Sequence, residues 1–299
     1  MSLLLIDSAS LWYRAYYGMP DTMLAPDGTP VNAIRGFLDM SARLITQYQP
    51  NRMVACLEGD WRPTWRTDLF PGYKANRVDA EGDEDEPDTL GPQIPVLLDL
   101  LDLFGIPMVG VDNYEADDLI ATYSKSEIGP INIVTGDRDL FQLIDDERQI
   151  RVIYLAKGFS QQEVVDLAWV SQKYGIPGER YALYAMIRGD ASDGLPGVRG
   201  IGEKGAAVIA SAFTSIEAAL SAAREGDSRL TPLLCKRLIE GSEYIKIAPK
   251  LVHCALDVPL PVMDLQMPKA PSDLSEIYSF KERYGLGASI DRLIAALKW

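Results

Sequence analysis

Short apolar runs alternate with amphipathic stretches along the first half of the chain. The apolar runs predict β-strands over residues 3–6, 53–57, 107–111, 131–134 and 151–154. Between them, apolar residues recur every three to four positions and predict helices over residues 32–47, 94–104 and 115–125. Alternating strands and helices indicate an α/β fold with a mostly parallel central sheet.

The pattern changes twice along the chain. Residues 61–93 are irregular, aromatic and charged, and they interrupt the alternation of strands and helices. From about residue 160 the strand pattern fades, and the remainder is rich in Ala, Leu and Ile with helical spacing. The sequence therefore predicts an α/β domain over residues 1–160, with the region 61–93 inside it, and a helical region over residues 161–299.

The composition is that of a folded globular protein, with 47% hydrophobic and 24% charged residues in a chain of 299. Taken alone, a net charge of −14 argues against a nucleic-acid binder, because phosphates are attracted to positive surfaces. Three scattered cysteines do not suit a disulfide framework or a zinc ribbon. The apolar opening run is too short for a signal peptide, and no apolar stretch reaches the ~18 residues of a membrane span. We therefore predict a cytoplasmic protein that does not associate with membranes.

Acidic residues follow most of the predicted strands, and the carboxyl ends of parallel strands meet at one edge of a sheet. These residues are Asp7, Glu58, Asp60, Glu115, Asp117, Asp118, Asp137 and Asp139. Each of them alone is also typical of a helix N-cap or of the first turn of a helix. Together, so many carboxylates repel one another unless divalent cations lie between them. Oxygen ligands without His or Cys favour Mg²⁺ or Mn²⁺ over zinc.

A second acidic pair precedes a glycine-rich segment in the helical half. Asp190 and Asp193 are three residues apart, which places them on the same side of a turn or helix end. Residues 194–204 contain several glycines and open a predicted helix. Such loops expose backbone N–H groups that hold phosphates, although the pattern alone is weak evidence. Its position directly after two carboxylates strengthens the interpretation.

Five strings in this chain resemble the motifs of the 5′-nucleases, which include flap endonucleases and the 5′→3′ exonuclease domain of bacterial DNA polymerase I. They lie at residues 5–10, 73–77, 115–118, 135–139 and 189–204, in family order and at family-like spacing. The resemblance covers nearly the full chain. It implies a PIN-like α/β core, a helical arch, a helix–three-turn–helix module at about residues 181–225, and phosphodiester cleavage near DNA 5′ ends.

The resemblance also implies roles for the matching side chains. The implied metal-site acids are Asp7, Glu115, Asp117, Asp118, Asp137, Asp139, Asp190 and Asp193. The family usually has one more aspartate after the second strand. Alignment from the right places Gly59 at that position and alignment from the left places Glu58 there, so we expect Glu58 or Asp60 to replace the aspartate. Lys74 and Arg77 match the catalytic residues that clamp the phosphate, where a point charge and a planar fork neutralise developing charge.

Contacts to DNA are implied in the same way. They are expected at Arg62, Arg66, Tyr73, Arg199, Gly200, Gly202 and Lys204. A monovalent cation, K⁺, is expected on the backbone carbonyls of Val198 and Ile201. The acid-rich segment 79–88 is expected to be a mobile, solvated part of the arch, and an alternative is that it repels duplex DNA and favours single strands.

The combined expectation is a metal-dependent 5′→3′ exonuclease and flap endonuclease that acts on DNA with 5′ flaps, nicks or 5′ ends. Two or more Mg²⁺ or Mn²⁺ ions are the expected cofactors. We expect a monomer with a nucleoid-associated role, working alone or with a DNA polymerase or ligase in trans. Two alternatives stay open: a catalytically weak protein that binds DNA ends, and an RNase H-like 5′-nuclease on RNA–DNA hybrids.

Overall fold

The computed structural model describes residues 2–79, 82–156, 158 and 161–299. Within these residues, the centre is a six-stranded sheet with strand order β3-β2-β1-β4-β5-β6. The strands are β1 (Leu3–Asp7), β2 (Arg52–Cys56), β3 (Met108–Val109), β4 (Ile131–Thr135), β5 (Ile150–Tyr154) and β6 (Glu163–Val165). Neighbouring strands are parallel except for β5 and β6, which are antiparallel. The predicted α/β fold with a mostly parallel sheet is confirmed.

The central strand β1 divides the interior into two apolar cores. Leu3 and Leu5 pack into the core on one face of the sheet, and Leu4 and Ile6 pack into the core on the other. This alternation follows from the two-residue period of a strand, and burial on both faces explains why β1 is continuously apolar. Because β1 lies parallel to both β2 and β4, the acids that follow these strands emerge at one edge of the sheet.

Thirteen α-helices surround the sheet in the described part of the chain. The first five are α1 (Ser8–Gly18), α2 (Asn32–Tyr48), α3 (Thr64–Leu69), α4 (Gln93–Leu103) and α5 (Ala116–Ser126). The next four are α6 (Leu167–Tyr174), α7 (Tyr181–Arg188), α8 (Glu203–Ala212) and α9 (Ile216–Glu225). The last four are α10 (Pro232–Glu240), α11 (Ser242–Val252), α12 (Leu274–Arg283) and α13 (Ala288–Leu297).

The helices divide between the two cores. Helices α1, α2 and α4 cover one face together with α12 and α13, whereas α5 and the helices α6–α11 cover the other. The chain therefore returns to its α/β half after crossing the helical half. No described helix alone is long and apolar enough to span a membrane, while α8 and α9 together meet that length and composition with a 91° bend between them.

The structure departs from the sequence-based expectation in three places. Strand β6 lies beyond the predicted boundary at residue 160, because a three-residue edge strand carries too short a pattern to detect. Helix α1 is not predicted by the sequence pattern, although Asp7 caps it. In the described residues of 61–93 the longest helix is the six-residue α3, so the expected helical arch is not formed there.

Candidate active site

The carboxyl ends of the parallel strands open into a cavity of about 850 Å³. Seven of the ten acids predicted as metal ligands line it, and they come from five separate segments of the chain. These acids are Asp7, Glu58, Asp60, Glu115, Asp117, Asp137 and Asp190. The two predicted catalytic residues, Lys74 and Arg77, line the same cavity.

Hydrogen bonds fix the acids at the ends of β1 and β4. Asp7 accepts from the backbone N–H of Ser10 at 3.1 Å, which caps α1, and from Thr135 Oγ1 at 2.6 Å. The backbone N–H of Asp137 donates to Thr135 Oγ1 at 2.8 Å. Asp137 Oδ1 accepts from the backbone N–H of Asp139 at 2.8 Å. Thr135 therefore joins the two strand ends and holds Asp7 and Asp137 at one edge of the sheet.

Burial and mutual repulsion act on several of these carboxyls. Burial raises the pKa of Asp7 and raises the pKa of Asp117 well above its ordinary value, and repulsion from Asp137 adds to both effects. Burial also raises the pKa of Glu58 to about 8 and that of Asp193 to about 6. The site therefore contains more negative charge than its own cations neutralise, and a divalent cation relieves such an excess.

Glu115 is an exception, because its charge is fully compensated. Its side chain accepts from Arg66 Nη1 at 2.8 Å and from the Tyr73 hydroxyl at 2.7 Å, and it forms an ion pair with Lys74 Nζ. Burial raises the pKa of Glu115, but Lys74 and Arg66 outweigh burial, and the net shift is downward. Glu115 is therefore ionised and holds Lys74 at the cavity wall.

Lys74 and Arg77 are both held by acceptors around the cavity. Lys74 is 7% exposed, and its Nζ donates to the carbonyl of Trp61 at 3.1 Å as well as to Glu115. Arg77 Nη2 donates to Asp193 Oδ1 at 2.6 Å. Burial lowers the pKa of Lys74, but Glu115 and Asp193 raise it further, so that the ammonium stays charged. The predicted phosphate clamp is thus a pair of oriented cations beside the acids.

The glycine-rich segment of the helical half touches this clamp directly. The backbone N–H of Lys74 donates to the carbonyl of Asp193 at 2.9 Å. Gly194 has φ +69°, and a Cβ there would lie 2.3 Å from the carbonyl oxygen of Gly72. Only glycine permits both this backbone conformation and this approach. Residues 72–77 and 189–197 are therefore in close backbone contact.

Gly59, where the resemblance leads us to expect an aspartate, cannot carry a side chain. A Cβ on Gly59 would lie 1.9 Å from the carbonyl oxygen of Val111 and 2.3 Å from its carbonyl carbon. Since both atoms belong to the backbone, no rotamer change relieves the clash. A carboxylate in this part of the cavity must come from a neighbouring position.

Glu58 and Asp60, the two candidates for that carboxylate, differ in their surroundings. Glu58 is partly buried, accepts from the backbone N–H of Ala116 at 2.8 Å, and is close enough to Glu115 for that charge to raise its pKa. Asp60 Oδ1 accepts from the backbone N–H of Arg62 at 2.9 Å, which closes a local turn. The geometry therefore favours Glu58 as the replacement.

Three of the predicted site residues, Asp118, Arg66 and Tyr73, do not line the cavity in this structure. Asp118 is fully buried, and its carboxylate accepts from Arg66 at 2.7 and 2.8 Å and from the backbone N–H of Ala255 at 2.7 Å, so it does not face the cavity. Arg66 and Tyr73 are each 3% exposed and donate to Glu115, so neither presents its polar group to DNA. These three side chains support Glu115 and α5 instead.

Asp139, Asp190 and Asp193 surround the remaining side of the acidic site. Asp139 Oδ1 is buried and has no hydrogen-bond partner among the described residues, and burial with repulsion from Asp137 raises its pKa well above the ordinary value. Asp190 accepts from Arg188 Nη2 at 3.1 Å. A buried carboxylate oxygen without a hydrogen-bond partner, next to other carboxyls whose pKa is raised, is a suitable ligand for a divalent cation. Within the described residues, no three acidic, His or Cys side chains converge on one point, so the acids surround a cavity instead.

The predicted DNA-contacting loop is at the surface. Arg199, Gly200, Gly202 and Lys204 are exposed, and they lead into α8. Val198 and Ile201, the predicted K⁺ positions, have buried side chains, and the N–H of Ile201 donates to the carbonyl of Val198 at 2.9 Å. The loop is therefore a tight turn with its basic side chains outward.

The acid-rich segment 79–88 keeps Asp83, Asp85 and Asp88 exposed, as expected, but other parts of it pack against the site. In its described residues, the backbone N–H of Asp85 donates to the carbonyl of Arg77 at 2.7 Å, and Val78 forms an antiparallel bridge with Glu84. Glu84 and Glu86 line the same cavity as the predicted metal-site acids. The segment is thus folded back over the site.

Two further cations line the cavity and are missed by the sequence reasoning. Arg14 lies on α1, seven residues after Asp7, and this two-turn spacing on one helix face is the signal that could have found it. Arg138 lies between Asp137 and Asp139, and its Nη2 is 3.6 Å from Asp190 Oδ2. Together with Lys74, they give the acidic cavity a basic rim.

Comparison with known proteins gives a consistent result over most of the chain. The family model "5′-3′ exonuclease, N-terminal resolvase-like domain" matches residues 2–175, and "5′-3′ exonuclease, C-terminal SAM fold" matches residues 176–273. A 5′-3′ exonuclease of Streptomyces coelicolor is 49% identical, covering 98% of this chain and 99% of the relative. A 5′-3′ exonuclease of Mycobacterium tuberculosis is 42% identical, covering 99% of this chain and 97% of the relative.

Solved structures give the same fold at low identity. The T5 D15 protein co-crystallised with metal ions has a TM-score of 0.64 at 17% identity, covering 100% of this chain and 97% of that one. Human GEN1 in complex with Holliday junction DNA has a TM-score of 0.65 at 15% identity, covering 99% of this chain and 71% of that one. At such identities the likeness supports the fold alone.

An acid-lined cavity at the carboxyl edge of a parallel sheet, with a basic clamp and a helical module beside it, is the arrangement of a PIN-like fold. The chain belongs to the 5′-3′ exonuclease family. The resemblance and the enzyme class expected from the sequence are confirmed.

Proposed function

We propose that this chain hydrolyses DNA phosphodiesters at and near 5′ ends, with Mg²⁺ or Mn²⁺ held by the acids of the cavity. The observation that carries the proposal is the convergence of seven acids with Lys74 and Arg77 in one cavity. The metal ions co-crystallised with the T5 D15 protein support metal dependence, whereas the choice of Mg²⁺ or Mn²⁺ rests on the oxygen-only donor set.

The acids divide into two groups by position. Asp7, Glu58, Asp117 and Asp137 line the cavity and are the first candidates to hold ions. Asp190, which also lines the cavity, completes the set in the proposal together with Asp139 and Asp193 on the side of the glycine-rich segment. When bound, the ions supply an activated water and stabilise the leaving oxygen. Glu115 accepts hydrogen bonds from Arg66 and Tyr73 and forms an ion pair with Lys74, so we assign Glu115 the role of positioning Lys74.

Lys74 and Arg77 neutralise the non-bridging oxygens of the phosphate in this proposal. Lys74 Nζ has three N–H donors, and two are used by Trp61 and Glu115, which leaves one for a ligand in the cavity. Arg77 is about one-third exposed and keeps donors beyond its bond to Asp193. Both are held in place before substrate arrives, which is the condition for electrostatic stabilisation of a transition state.

Recognition of DNA is proposed to occur at the backbone. The exposed residues Arg199, Gly200, Gly202 and Lys204 would bind phosphates of the uncleaved duplex, so recognition depends on DNA structure more than on base sequence. We also propose K⁺ on the carbonyls of Val198 and Ile201, where it would link the loop to a phosphate. Flaps, nicks and free 5′ ends are the proposed substrates of a monomer, with a polymerase or ligase in trans.

The decisive experiment compares Asp137→Asn with Asp85→Asn. Asparagine at 137 keeps the Oδ1 acceptor for Asp139 but removes a charge from the site, whereas Asp85 is exposed and removes an equal charge outside it. We expect Asp137→Asn to cut a 5′-labelled flap duplex at about 1% of the parent rate or less, with unchanged DNA binding. Asp85→Asn should cut at the parent rate.

Three substrates separate the proposed activity from its alternatives. They are the flap, a nicked duplex and an RNA–DNA hybrid, each with Mg²⁺ or Mn²⁺. Faster cutting of the hybrid than of both DNA substrates would favour the RNase H-like alternative. Binding of all three without cleavage would favour the DNA-end-binding protein and would overturn the proposal.

A further inference from the structure

A second cavity, of about 480 Å³, opens beside the catalytic cavity, and we call it the side groove. Arg138 and Tyr154 line both cavities. From there the side groove runs between the ends of β5 and β6 and helices α6, α7 and α8, and it reaches Lys204 in the first turn of α8. It is therefore a continuous path from the catalytic cavity to the exposed glycine-rich loop.

The charge of the side groove differs from that of the catalytic cavity. Arg138, Lys173 and Lys204 line it against two acids, Glu163 and Glu203, so cations are in excess. The side chain of Arg138 is 43% exposed, and its Nη2 is 3.6 Å from the nearest carboxylate oxygen, which leaves its donors available. In a chain of net charge −14, this is a local basic strip directly beside the acid-lined cavity.

Packed aromatic rings form the walls and floor of the side groove. The ring centroids of Trp169 and Tyr174 are 6.3 Å apart, and those of Tyr174 and Tyr184 are 5.3 Å apart. Tyr184 is buried and forms the floor, while Trp169 and Tyr174 are partly exposed. Lys173 is exposed, with its Nζ 6.0 Å from the Trp169 ring. Rigid apolar surfaces next to spaced cations suit a sugar–phosphate strand, whose sugars are apolar and whose phosphates are charged.

We propose that the side groove holds the sugar–phosphate backbone of one DNA strand between the catalytic cavity and the glycine-rich loop, with Arg138 and Lys173 on its phosphates. This inference rests on the proposed function. It adds DNA contacts at Arg138 and Lys173, to neither of which the resemblance assigns a role, and it assigns the aromatic cluster around Tyr174 to the DNA path. Contacts of this kind position the duplex and do not read its sequence.

The test is the salt dependence of binding by Lys173→Ala, with Lys269→Ala as the matched control. Both lysines are exposed, and Lys269 lies far along the chain, outside the side groove. Affinity for a fluorescein-labelled 5′-flap duplex is measured by anisotropy in EDTA at 50–200 mM salt. A phosphate contact contributes about 0.9 to the slope of log affinity against log salt. Between 50 and 200 mM salt, the fold-loss of affinity of Lys173→Ala should therefore be smaller than that of the parent by a factor of about 3.5. Lys269→Ala should follow the parent.

Two further variants make the outcome decisive. Lys204→Ala reports on the glycine-rich loop, and Arg138→Gln reports on the end that the two cavities share. If Lys204→Ala lowers the slope while Lys173→Ala and Arg138→Gln do not, the DNA bypasses the side groove and the inference is overturned. The proposed function fails differently, through a parent chain that binds the flap duplex and does not cut it in Mg²⁺ or Mn²⁺.

Discussion

Replacing Lys74 by methionine tests whether this residue acts in the chemical step or only attracts DNA. Methionine keeps an unbranched apolar stem in the buried position but removes the ammonium group. Lys74 also has φ +49°, a left-handed backbone conformation that is equally unfavourable for lysine and for methionine. The substitution therefore isolates the charge that lies between Glu115 and the cavity.

The expected loss of rate follows from how the ammonium is held. Two of its N–H donors are fixed by Trp61 and Glu115, so the third is aimed before substrate binds. Loss of one preorganised donor of this kind typically costs on the order of 10²–10³ in rate, or about 3–4 kcal/mol. The cost in stability is smaller, about 1–3 kcal/mol, because Arg66 and Tyr73 still donate to Glu115 at 2.8 and 2.7 Å.

Single-turnover cleavage of a 5′-flap duplex at saturating enzyme measures the chemical step directly. Lys204→Ala is the control, since an exposed lysine that binds phosphate weakens affinity and recovers the parent rate once the DNA is saturated. Urea unfolding of Lys74→Met confirms that the variant is folded under the assay conditions. A saturated rate within threefold of the parent would show that Lys74 only holds DNA, and the catalytic assignment would be wrong.

Three further outcomes follow from the site. Glu58→Gln should raise the Mg²⁺ concentration for half-maximal cleavage by about 10–100-fold, while Asp60→Asn should leave it within about threefold; equal shifts would contradict the assignment. In EDTA, the free energy of unfolding should fall as pH rises from about 4 to 8, because Glu58 (pKa about 8) and Asp193 (pKa about 6) bind protons more tightly in the folded chain than in the unfolded chain. Urea titrations should show this free energy falling by at most about 1.4 kcal/mol per pH unit for each group. A free energy of unfolding that does not change with pH would refute the prediction. Arg66→Met should cost about 3–5 kcal/mol of stability, because Asp118 loses a buried partner; a stable variant with weaker DNA binding would restore the predicted DNA contact.

The central part of the fold is predictable from sequence because two simple signals coincide there. Strands such as β1 and β4 are buried on both faces, so they appear as mostly apolar runs; β1 ends at Asp7, and Asp137 lies two residues after β4. Parallel strands end at one edge, so an ordered set of acids predicts their convergence before any coordinates exist. Asp7 and Asp137 lie together for this reason.

The side chains that sequence reasoning misplaced have roles that depend on tertiary partners. Arg66 and Tyr73 are polar residues in an irregular region, and the sequence does not reveal that Glu115 lies against them. Glu84 and Glu86 look like solvated charges until the bridge to Val78 folds them over the cavity. The absence of a side chain at Gly59 also depends on a tertiary contact, because a Cβ there would clash with the backbone of Val111, 52 positions later in the chain.

The contact between residues 72–77 and 189–197 has a consequence for modular exchange within the family. Because Gly194 lies against Gly72 and Asp193 accepts from the backbone of Lys74, the α/β half contains one side of a joint and the helical half contains the other. A chimera that recombines the two halves of different relatives at residue 160 inherits mismatched sides of this joint. Its clamp would be mispositioned. Recombinants that transfer residues 72–77 together with residues 189–197 keep this contact intact. The two segments must therefore be exchanged together, although more than a hundred residues separate them in the chain.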